Sequence, residues 1–439
     1  MLVLIKEVNI IGAGLAGCEA AYQLTKRNIK VNLYESKRIR KNEVQNSDFF
    51  AELVCSNSLR SNDIKNAAGL MKEELRKLDS LLIRVADQYQ VPAGSALAVD
   101  RELFSKKVSE ILASNPLVTI IDKEVEEIME NPTIIASGPL TTKKLSEKIK
   151  NLIGNDFLYF YDAIAPIVDF NSIDMNKAYF KSRYDKGNAD YINCPMTKEE
   201  YDLWYNEVIN AQTAKIKDFE LKVFEGCMPF EEMAKRGYQT LLYGPMKPVG
   251  LEKNNEKRPY AVVQLRQDNL RKSMYNIVGF QTHLTFSEQK RIIRMIPGLE
   301  SAEIIRYGIM HRNTFINAPS AINSFYQSKT RDDLFIAGQI SGVEGYIESI
   351  ASGLVAGINM ARLINNETLI EFPLESAIGS QAYYIANSPA SEFQPMNTNF
   401  GIFPDLLFKH NKSQRKELYV KRALDSIDTF INNNSILNT

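Results

Sequence analysis

Cysteine, histidine and tryptophan are scarce in this chain, which has four, three and one of them among 439 residues. The cysteines are far apart and form no CxxC pair, which excludes a disulfide scaffold and a clustered zinc site and is typical of a reducing compartment. With so few histidines, we do not expect a histidine-based metal centre. The sequence therefore predicts no metal. The cysteines are Cys18, Cys55, Cys194 and Cys227.

Long apolar runs are also missing. No stretch reaches the roughly 18 residues that a membrane span needs. The start of the chain, MLVLIKEVNIIGAGLAG, is interrupted by Lys6 and Glu7, which is not typical of a signal peptide. We therefore expect a cytoplasmic protein without a membrane partner.

An excess of charge of either sign is absent as well, since 53 basic residues balance 53 acidic ones. A formal net charge of zero does not indicate a nucleic-acid-binding protein. Two local basic clusters, at 37–41 and 409–422, are candidates for phosphate contacts. A solvated charged face explains either cluster equally well.

The first 35 residues have the order of a dinucleotide-binding unit. A buried-strand pattern over 8–11 is followed by GAGLAG, by a helical pattern, and by a second strand pattern over 30–35. Gly12 permits the tight turn, Gly14 lets backbone N–H groups approach a pyrophosphate, and Gly17 lets helix and strand pack closely. The helix N-terminus then faces the phosphates with its partial positive charge. The predicted cradle comprises Gly12, Ala13, Gly14, Leu15, Ala16 and Gly17.

Glu35 ends the second strand, where the motif places its acidic residue. Its carboxylate can accept both hydroxyls of an adenosine ribose and disfavours a 2′-phosphate. Two later segments, 131–140 and 333–362, look like strands that return to the same site, and the second continues into a glycine-rich turn and a small-residue helix. Binding at two such distant points suits FAD better than NAD, which the first segment alone leaves open. We predict that Gly338 and Gln339 also bind the cofactor.

The alternation of strands and helices is lost between about 173 and 285. This part holds a capping box at 197–200 and two segments, YGPMKPVGLE and KRPYAVVQLRQDN, that predict strands joined by proline turns. We therefore predict an α/β fold. A Rossmann-like FAD-binding domain comprises 1–172 and 286–439, and an inserted α+β domain comprises 173–285.

Two cysteines lie where a thiol can react. Cys227 precedes Pro229, which we expect to be the first residue of a short helix, and the dipole at a helix N-terminus favours a thiolate. Cys55 lies in FAELVCSNSLRS, where an apolar run gives way to Ser, Asn and Arg. A small buried hydrophobe is the alternative for each. Cys18 and Cys194 are expected to be structural.

Six longer motifs are more specific than the glycine turn: FAELVCSNSLRS, FEGCMP, KRPYAVVQLRQDN, YNIVGFQTHL, MIPGLE and GQISGVEGYIES. With them, the chain resembles the folate- and FAD-dependent tRNA (uracil-5) methyltransferase family, TrmFO, from Val8 to about Leu407. The related FAD-dependent GidA family modifies tRNA wobble uridines and shares the nucleotide-binding fold. The motifs around Cys55 and Cys227 favour the methyltransferase.

The resemblance implies that a methylene group is taken from 5,10-methylenetetrahydrofolate, carried on flavin N5, placed on uridine C5, and reduced to methyl with electrons from NADH or NADPH. Uracil C5 is a poor nucleophile until a thiolate adds to C6, and the C5 proton must later leave to a base. Cys55 and Cys227 are predicted to be this pair, in either order. Tyr346 is expected to stack near the flavin or the folate pterin, with ordinary packing as the alternative. Arg266 and Arg291 are weaker candidates for folate carboxylates or RNA phosphates.

The sequence leaves alternatives open for the RNA target and for the class of reaction. The family commonly carries His-His-Thr shortly before the Cys55 motif, where this chain has Gln45-Asn46-Ser47. The resemblance makes a tRNA T-loop uridine the leading target, and this departure keeps 23S ribosomal RNA as the alternative. An FAD-dependent NAD(P)H oxidoreductase would leave both thiols without a purpose and lacks a second complete GxGxxG. A non-catalytic RNA-binding flavoprotein is the third possibility, and the oligomeric state stays open.

Overall fold

The computed structural model describes residues 6–42, 44–154, 157–185, 188–214, 228–253, 256–407, 411 and 413–437, without the side chain of Phe160. The strands in this part of the chain are β1 Glu7–Ile11, β2 Lys30–Glu35, β3 Ser58–Ser61, β4 Gln90–Val91, β5 Ala96–Val99, β6 Val118–Asp122, β7 Thr133–Ile135, β8 Leu158–Ala163, β9 Ile167–Asp169, β10 Tyr179–Phe180, β11 Tyr191–Met196, β12 Ala261–Gln267, β13 Met274–Ile277, β14 Ile304–Arg306, β15 Met310–Phe315 and β16 Leu334–Ile336. The helices are α1 Leu15–Thr25, α2 Ala67–Lys77, α3 Leu81–Gln88, α4 Arg101–Ala113, α5 Lys143–Ile153, α6 Lys198–Ile209, α7 Phe230–Arg236, α8 Thr240–Tyr243, α9 Phe286–Ile293, α10 Ala318–Ala321, α11 Tyr346–Ile364, α12 Ala377–Asn387 and α13 Arg415–Asn433.

A parallel sheet of five described strands holds the dinucleotide motif, in the order β16-β7-β1-β2-β6. Its inner strands are short Val- and Ile-rich runs, as expected of a parallel sheet covered on both faces. β16 pairs with β7 in parallel, Leu334 opposite Thr133, so residues from both ends of the chain build one sheet. The α/β, Rossmann-like fold predicted from the sequence is confirmed.

Helices α1 and α11 lie against each other through small residues. A Cβ at Gly353 would lie 2.3 Å from the carbonyl oxygen of Ala16, and one at Gly357 would lie 3.0 Å from the Cα of Ala20. α11 is long and apolar enough to cross a membrane by length and composition, but 83% of its apolar window is buried inside the protein. Because Gly353 and Gly357 have no side chains, α11 packs directly against α1, and residues of both helices belong to the first hydrophobic core.

The second sheet is antiparallel, in the order β10-β11-β12-β13-β9-β14, with its own hydrophobic cluster around Trp204. The capping box is present at the start of α6, where the Thr197 side chain accepts from the Glu200 N–H and the Glu200 side chain accepts from the Thr197 N–H. KRPYAVVQLRQDN contains β12 as predicted. The prediction of a strand in YGPMKPVGLE is wrong, since the end of α8 and a series of turns occupy it.

The chain enters the antiparallel sheet and leaves it through two neighbouring strands, β8 and β15. β8 leads into β9, and β14 leads into β15, and β8 pairs with β15 in antiparallel register. A third small sheet, in the order β3-β5-β4, follows the Cys55 motif. The division into 1–172 with 286–439 and 173–285 stays a prediction. The second sheet takes β9 and β14 from outside the predicted bounds of the insertion.

The contact between α1 and α11 gives a graded prediction. We expect Gly353→Ala to lower the free energy of unfolding by about 1–3 kcal/mol, because its Cβ would overlap the backbone of α1. Gly357→Ala is the matched control on the same helix, and its closer-to-normal 3.0 Å contact predicts a smaller loss. Urea denaturation of both variants checks this. Equal stability of the two variants would contradict the packing argument.

Candidate active site

The predicted dinucleotide cradle is a tight turn followed by the N-terminus of α1. Gly12 has φ +102°, and a Cβ there would lie 2.5 Å from the carbonyl oxygen of Ala136. A Cβ at Gly17 would lie 1.9 Å from the carbonyl oxygen of Gly12. Gly14 is exposed, and its Cβ would meet no atom within 4 Å. Since the first N–H groups of a helix lack intrahelical partners, the turn offers open donors beside open space, as a phosphate requires.

Glu35 is tied to the same turn. Its carboxylate accepts the backbone N–H groups of Ala13 at 2.8 Å, Ser36 at 2.8 Å and Lys37 at 2.9 Å. A carboxylate has roughly four acceptor positions, so about one position is left. A ribose at this turn therefore finds about one direct bond to Glu35, fewer than the two predicted.

The structure brings the second predicted cofactor segment beside the first. Gly338 has φ +79°, its N–H donates to Ser352 Oγ at 2.8 Å, and a Cβ on it would lie 3.0 Å from the Cβ of Ala16. Gln339 begins a short 3-10 turn and donates through Nε2 to Glu344 at 2.8 Å. The residues predicted from both ends of the chain thus line one place.

Cys55 lies in a loop that is bonded to both segments. The Ala51 N–H donates to the carbonyl oxygen of Ala13 at 2.9 Å, and the Cys55 N–H donates to Tyr346 Oη at 2.8 Å. The Cys55 Sγ is partly exposed and lies 3.8 Å from the carbonyl oxygen of Ala163. The thiol is therefore held between the glycine turn and the N-terminus of α11.

Backbone strain marks both ends of this loop. Ala51 has φ +50° and Arg60 has φ +66°, a conformation that side-chain-bearing residues rarely adopt. Arg60 also donates through Nη1 to the fully buried carboxylate of Glu348, in the first turn of α11, at 2.9 Å. Such strain persists only where surrounding contacts impose the conformation, and it is typical of functional sites.

Tyr346 has a contact that the sequence did not indicate. Its hydroxyl oxygen accepts the N–H groups of both Cys55 and Ser56, at 2.8 and 3.1 Å. Burial raises the pKa of Tyr346, so the phenol stays neutral and can serve as this acceptor. Part of the residue remains exposed, and stacking of its ring on a cofactor stays a prediction.

Three arginines surround the Cys55 loop. Arg101 donates to the Leu53 carbonyl, Arg306 donates to the Val54 carbonyl at 2.7 Å, and Arg266 donates to the side chains of Ser56 and Asn57. Burial lowers the pKa of Arg266 and of Arg306, although a guanidinium remains charged at neutral pH.

Of these three arginines, only Arg101 forms an ion pair with a carboxylate among the described residues: its Nε and Nη2 donate to the two carboxylate oxygens of Asp268, each at 2.8 Å. Burial lowers the pKa of Arg101 and the ion pair raises it, with a net rise. The Cys55 loop therefore lies in an excess of positive charge, which suits an anionic substrate.

The sequence missed several of these residues. Arg266 was a weak candidate and lies at the site, whereas Arg291 is an exposed residue paired with Glu207 and Glu288. Arg101, Arg306 and Asp268 were missed, although the neighbouring polar run QLRQDN could have suggested Asp268. The other two lie in no comparable polar run, and Arg101, between Asp100 and Glu102, has the appearance of an ordinary helix start.

The remaining cysteines differ from Cys55. Cys18 and Cys194 are fully buried, and burial raises the pKa of both thiols, that of Cys194 to about 12. They fit the structural role predicted for them. Cys227, the second predicted catalytic thiol, lies outside the described residues. The helix after it begins at Phe230, one residue later than predicted, and Pro229, with its extended ψ of 138°, is the N-cap instead of the first helical residue.

The basic cluster at 37–41 is used within the protein. Lys37 is buried against Glu52, Arg38 pairs with Asp122, Arg40 with Glu124, and Lys41 with Asp48. Each positive charge therefore has an acidic neighbour, which weakens the prediction of a phosphate contact there. In the second cluster, Arg422 donates to the carbonyls of Pro404 and Asp405, and residues 408–410 and 412 lie outside the described part.

The altered stretch at 45–47 is anchored to the Cys55 loop. The N–H groups of Asn46 and Ser47 donate to Glu52 at 2.7 and 3.1 Å, and Arg306 donates to the neighbouring Val44 carbonyl at 3.3 Å. These bonds use backbone groups, so they do not depend on the side chains that distinguish this chain.

The glycine turns fit a long dinucleotide. Open space stands over Gly14, backbone donors are free at the start of α1, and Gly338 and Gly345 adopt positive φ beside the second turn. Among the described residues, no group of three or more His, Cys, Asp or Glu side chains could hold a metal ion.

Comparison with known proteins places these features in a family. The family model of glucose inhibited division protein A matches residues 7–368. Methylenetetrahydrofolate--tRNA-(uracil-5-)-methyltransferase TrmFO of Bacillus velezensis is 58% identical over 425 residues, covering 96% of this chain and 98% of that protein. The TrmFO of Bacillus licheniformis is 59% identical over 423 residues, covering 96% and 98%.

A solved structure shows the same fold. GidA of Aquifex aeolicus in its form II crystal matches 99% of this chain and 75% of that chain, with a TM-score of 0.71 and 16% sequence identity. At 16% sequence identity, this similarity supports a shared fold and nothing further.

A substitution in the cradle is predicted to prevent cofactor binding without preventing folding. We expect Gly14→Val to purify as a folded protein without bound flavin, because the branched side chain meets no protein atom near its Cβ but fills the space for the pyrophosphate. Absorbance at about 450 nm measures the amount of bound flavin, and circular dichroism checks that the variant is folded. Gly14→Ala is the graded control. A yellow Gly14→Val with normal stoichiometry would show that the cradle lies elsewhere.

Tyr346 predicts a positioning effect. Tyr346→Phe keeps the ring but removes the acceptor of two N–H groups in the Cys55 loop. We expect bound flavin to be retained and kcat to fall about 10- to 100-fold, since a misplaced thiol loses near-attack geometry. Tyr346→Ala should in addition weaken folate binding if the ring stacks on a cofactor. Unchanged kcat in Tyr346→Phe would refute the positioning role.

Proposed function

The chain belongs to the family of glucose inhibited division protein A and, within it, to the TrmFO methyltransferases, and we propose that it methylates C5 of a uridine in tRNA with 5,10-methylenetetrahydrofolate as carbon donor. FAD and folate are its cofactors, and NADH or NADPH is the source of electrons. In the structure, one observation supports the proposal most directly. A partly exposed thiol, Cys55, is bonded through its loop into both glycine-rich segments.

FAD is held, in this proposal, by the cradle from Gly12 to Gly17, by Glu35 and by Gly338 and Gln339. When bound, it supplies the redox chemistry that reduces the transferred one-carbon group. The free N–H groups at the start of α1 bind the pyrophosphate, and Glu35 holds the ribose through its remaining acceptor position. The chain thereby fixes the cofactor along one edge of the parallel sheet.

The thiols act on the uracil ring. The Sγ of one cysteine adds to C6, and the electron pair of the C5–C6 double bond moves toward the C4 carbonyl oxygen, which makes C5 nucleophilic. After C5 has bonded to the one-carbon unit, a base removes the C5 proton while the bond from that carbon to its donor nitrogen breaks. The carbon becomes a methyl group when it receives a hydride equivalent derived from NADH or NADPH, and the C6–S bond breaks to restore the C5–C6 double bond. Cys55 and Cys227 are proposed as this pair, with either assignment of roles. The arginines around the Cys55 loop suit the negative charge that develops on the ring.

Three further assignments belong to the proposal. The chain works in the cytoplasm, where tRNA and reduced thiols occur together. Its FAD-binding domain is proposed to comprise 1–172 and 286–439, with an insertion at 173–285. Two separate hydrophobic clusters support two units, although the second cluster also takes in Val168 and residues between 292 and 302, outside these bounds. Ribosomal RNA is not favoured as substrate, because the relatives at 58–59% identity are named for tRNA. An NAD(P)H oxidoreductase or a non-catalytic RNA-binding flavoprotein is not favoured either, since neither explains the thiol.

The direct test supplies every component. FAD-loaded protein is incubated with NADPH, labelled methylenetetrahydrofolate and, separately, tRNA and ribosomal RNA transcripts. We expect label in the tRNA, on a uridine C5. Label in ribosomal RNA alone would change the substrate, and label in neither would overturn the proposal.

The thiol pair predicts a distinctive variant series. Cys55→Ala and Cys227→Ala should each stop turnover and keep bound FAD, and the double variant should lose no more than either, because the groups act on one ring. With RNA containing 5-fluorouridine, whose fluorine cannot leave as a proton, we expect a covalent adduct only where the nucleophile remains. Cys194→Ala, at a buried thiol in β11, is the control that keeps activity. Adducts in both single variants would show that another residue is the nucleophile.

A further inference from the structure

Two aromatic side chains form a stacked pair at the protein surface. The ring centroids of Phe286 and Tyr307 are 4.7 Å apart, and the ring planes are inclined by 29°. Phe286 is the first residue of α9 and is 55% exposed, and Tyr307, directly after β14, is partly exposed. A single exposed hydrophobic residue is ordinary, but this aromatic pair presents aromatic surface from two neighbouring rings to solvent.

Buried hydrogen bonds hold the aromatic pair in place. Gln289, one turn after Phe286 on α9, is almost fully buried. Its Oε1 accepts the Gly308 N–H at 2.8 Å, and its Nε2 donates to the Gly308 carbonyl at 2.9 Å. Because Gly308 follows Tyr307 directly, these bonds fix both rings relative to each other. A ligand on the aromatic pair therefore orders little of the protein when it binds.

The residue before Tyr307 attaches the aromatic pair to the Cys55 loop. Arg306 donates through Nη2 at 2.7 Å to the carbonyl of Val54, the neighbour of Cys55. The aromatic pair and the thiol are thus joined through one side chain and one peptide group.

A second connection leads from the other side of Tyr307 to the thiol. The carbonyl of Ile309 accepts the Ile164 N–H at 2.9 Å. Ile164 follows Ala163, whose carbonyl lies 3.8 Å from the Cys55 Sγ. The aromatic pair therefore lies at the edge of the active site, with Tyr307 between the two connections.

The charges near the aromatic pair are mainly positive. Arg306 forms no ion pair with a carboxylate among the described residues. Lys290 lies on the same side of α9 as Phe286, four positions later, and is exposed. In the described part of the chain it has no ion-pair partner, whereas Glu288, the one acidic residue of α9, is paired with Arg291. An apolar face with cations beside it suits a nucleobase and its phosphates.

The reaction accounts for an aromatic face at this position. An enzyme that acts on a base takes this base out of its stack, so the neighbouring base loses a stacking partner. An aromatic side chain can replace this partner for any base, because every base has a π-face. Arg306 lies between the aromatic pair and the Cys55 loop, so the base on the aromatic pair belongs to a nucleotide beside the target.

We propose that Phe286 and Tyr307 stack on the nucleobase next to the target uridine in the RNA substrate, and that Arg306 and Lys290 supply positive charge for its phosphates. The inference rests on the proposed function for the identity of the RNA. It adds a binding surface outside the thiol and the glycine turns.

Binding of a tRNA transcript to the FAD-loaded full-length protein tests the assignment by fluorescence anisotropy. We expect Phe286→Ala to raise the Kd for the transcript about 5- to 100-fold, with bound FAD and the Kd for tetrahydrofolate unchanged. Phe286→Trp, which enlarges the aromatic face, should bind at least as tightly as the wild type.

Phe180→Ala is the matched control. Phe180 is 45% exposed and lies in β10, at the opposite edge of the antiparallel sheet from β14. We expect this variant to change the Kd for the transcript less than twofold.

A fluorescent base tests stacking directly. 2-Aminopurine, whose fluorescence falls when it stacks, is placed in the transcript on either side of the target uridine. At one of these positions we expect the complex with Phe286→Leu to be brighter than that with the wild type, because leucine keeps apolar volume without a ring. Lys290→Ala should lower the dependence of log Kd on log salt by about one ion.

The outcomes separate the possibilities. An unchanged Kd for the transcript in both Phe286→Ala and Phe286→Leu would overturn the inference. A raised Kd for tetrahydrofolate with an unchanged Kd for the transcript would show that the aromatic pair binds the folate instead. A wild type that labels tRNA although Phe286→Ala binds tRNA equally well refutes this inference alone. Binding of tRNA that depends on Phe286 but is followed by no labelling contradicts the proposed methylation alone.

Discussion

The close approach of α1 and α11 is the constraint on which the site depends. Gly353 leaves no side chain over the Ala16 carbonyl, and Gly338 lies against the Ala16 side chain. The first helix carries the glycine turn, and the second begins at Tyr346, whose hydroxyl holds the Cys55 loop. A Cβ at Gly353 would overlap the backbone of α1, so the two helices could not lie this close if that residue had a side chain. The thiol would also lose one of its two attachments.

Around the Cys55 thiol, positive charge exceeds negative charge. Three guanidinium groups surround one short loop, and Asp268 balances only Arg101 by an ion pair among the described residues. Buried charges without partners are costly, and apolar residues of the same volume would pack at a lower cost. In the part of the chain that the structure describes, buried polar atoms of Asp162 and Asn313 also lack partners. These departures from ordinary packing cluster near the Cys55 loop, as expected if this is the functional site.

Local pattern accounts for what could be predicted from the sequence. The glycine turn, the strands beside it and the capping box at Thr197 depend on residues a few positions apart. Two other contacts join residues that are 150 or more positions apart, so no local pattern predicts them. One is the ion pair of Arg101 with Asp268, and the other is the pairing of β8 with β15, which brings Asp162 and Asn313 onto one face. The basic run at 37–41 left two interpretations open for the same reason, because two of its acidic partners lie in or beside β6.

The order of the parallel sheet has a consequence for synthesis on the ribosome. β16 is an edge strand that arrives some 200 residues after β7, its neighbour. Until residue 336 has emerged, β7 is itself an open edge, and the small-residue face of α1 has nothing to cover it. The nascent chain therefore passes through a long interval in which the parallel sheet cannot be completed, and the strands of the antiparallel sheet, the last of them β14, have all emerged before β16. A chaperone that shields this edge would act in that interval.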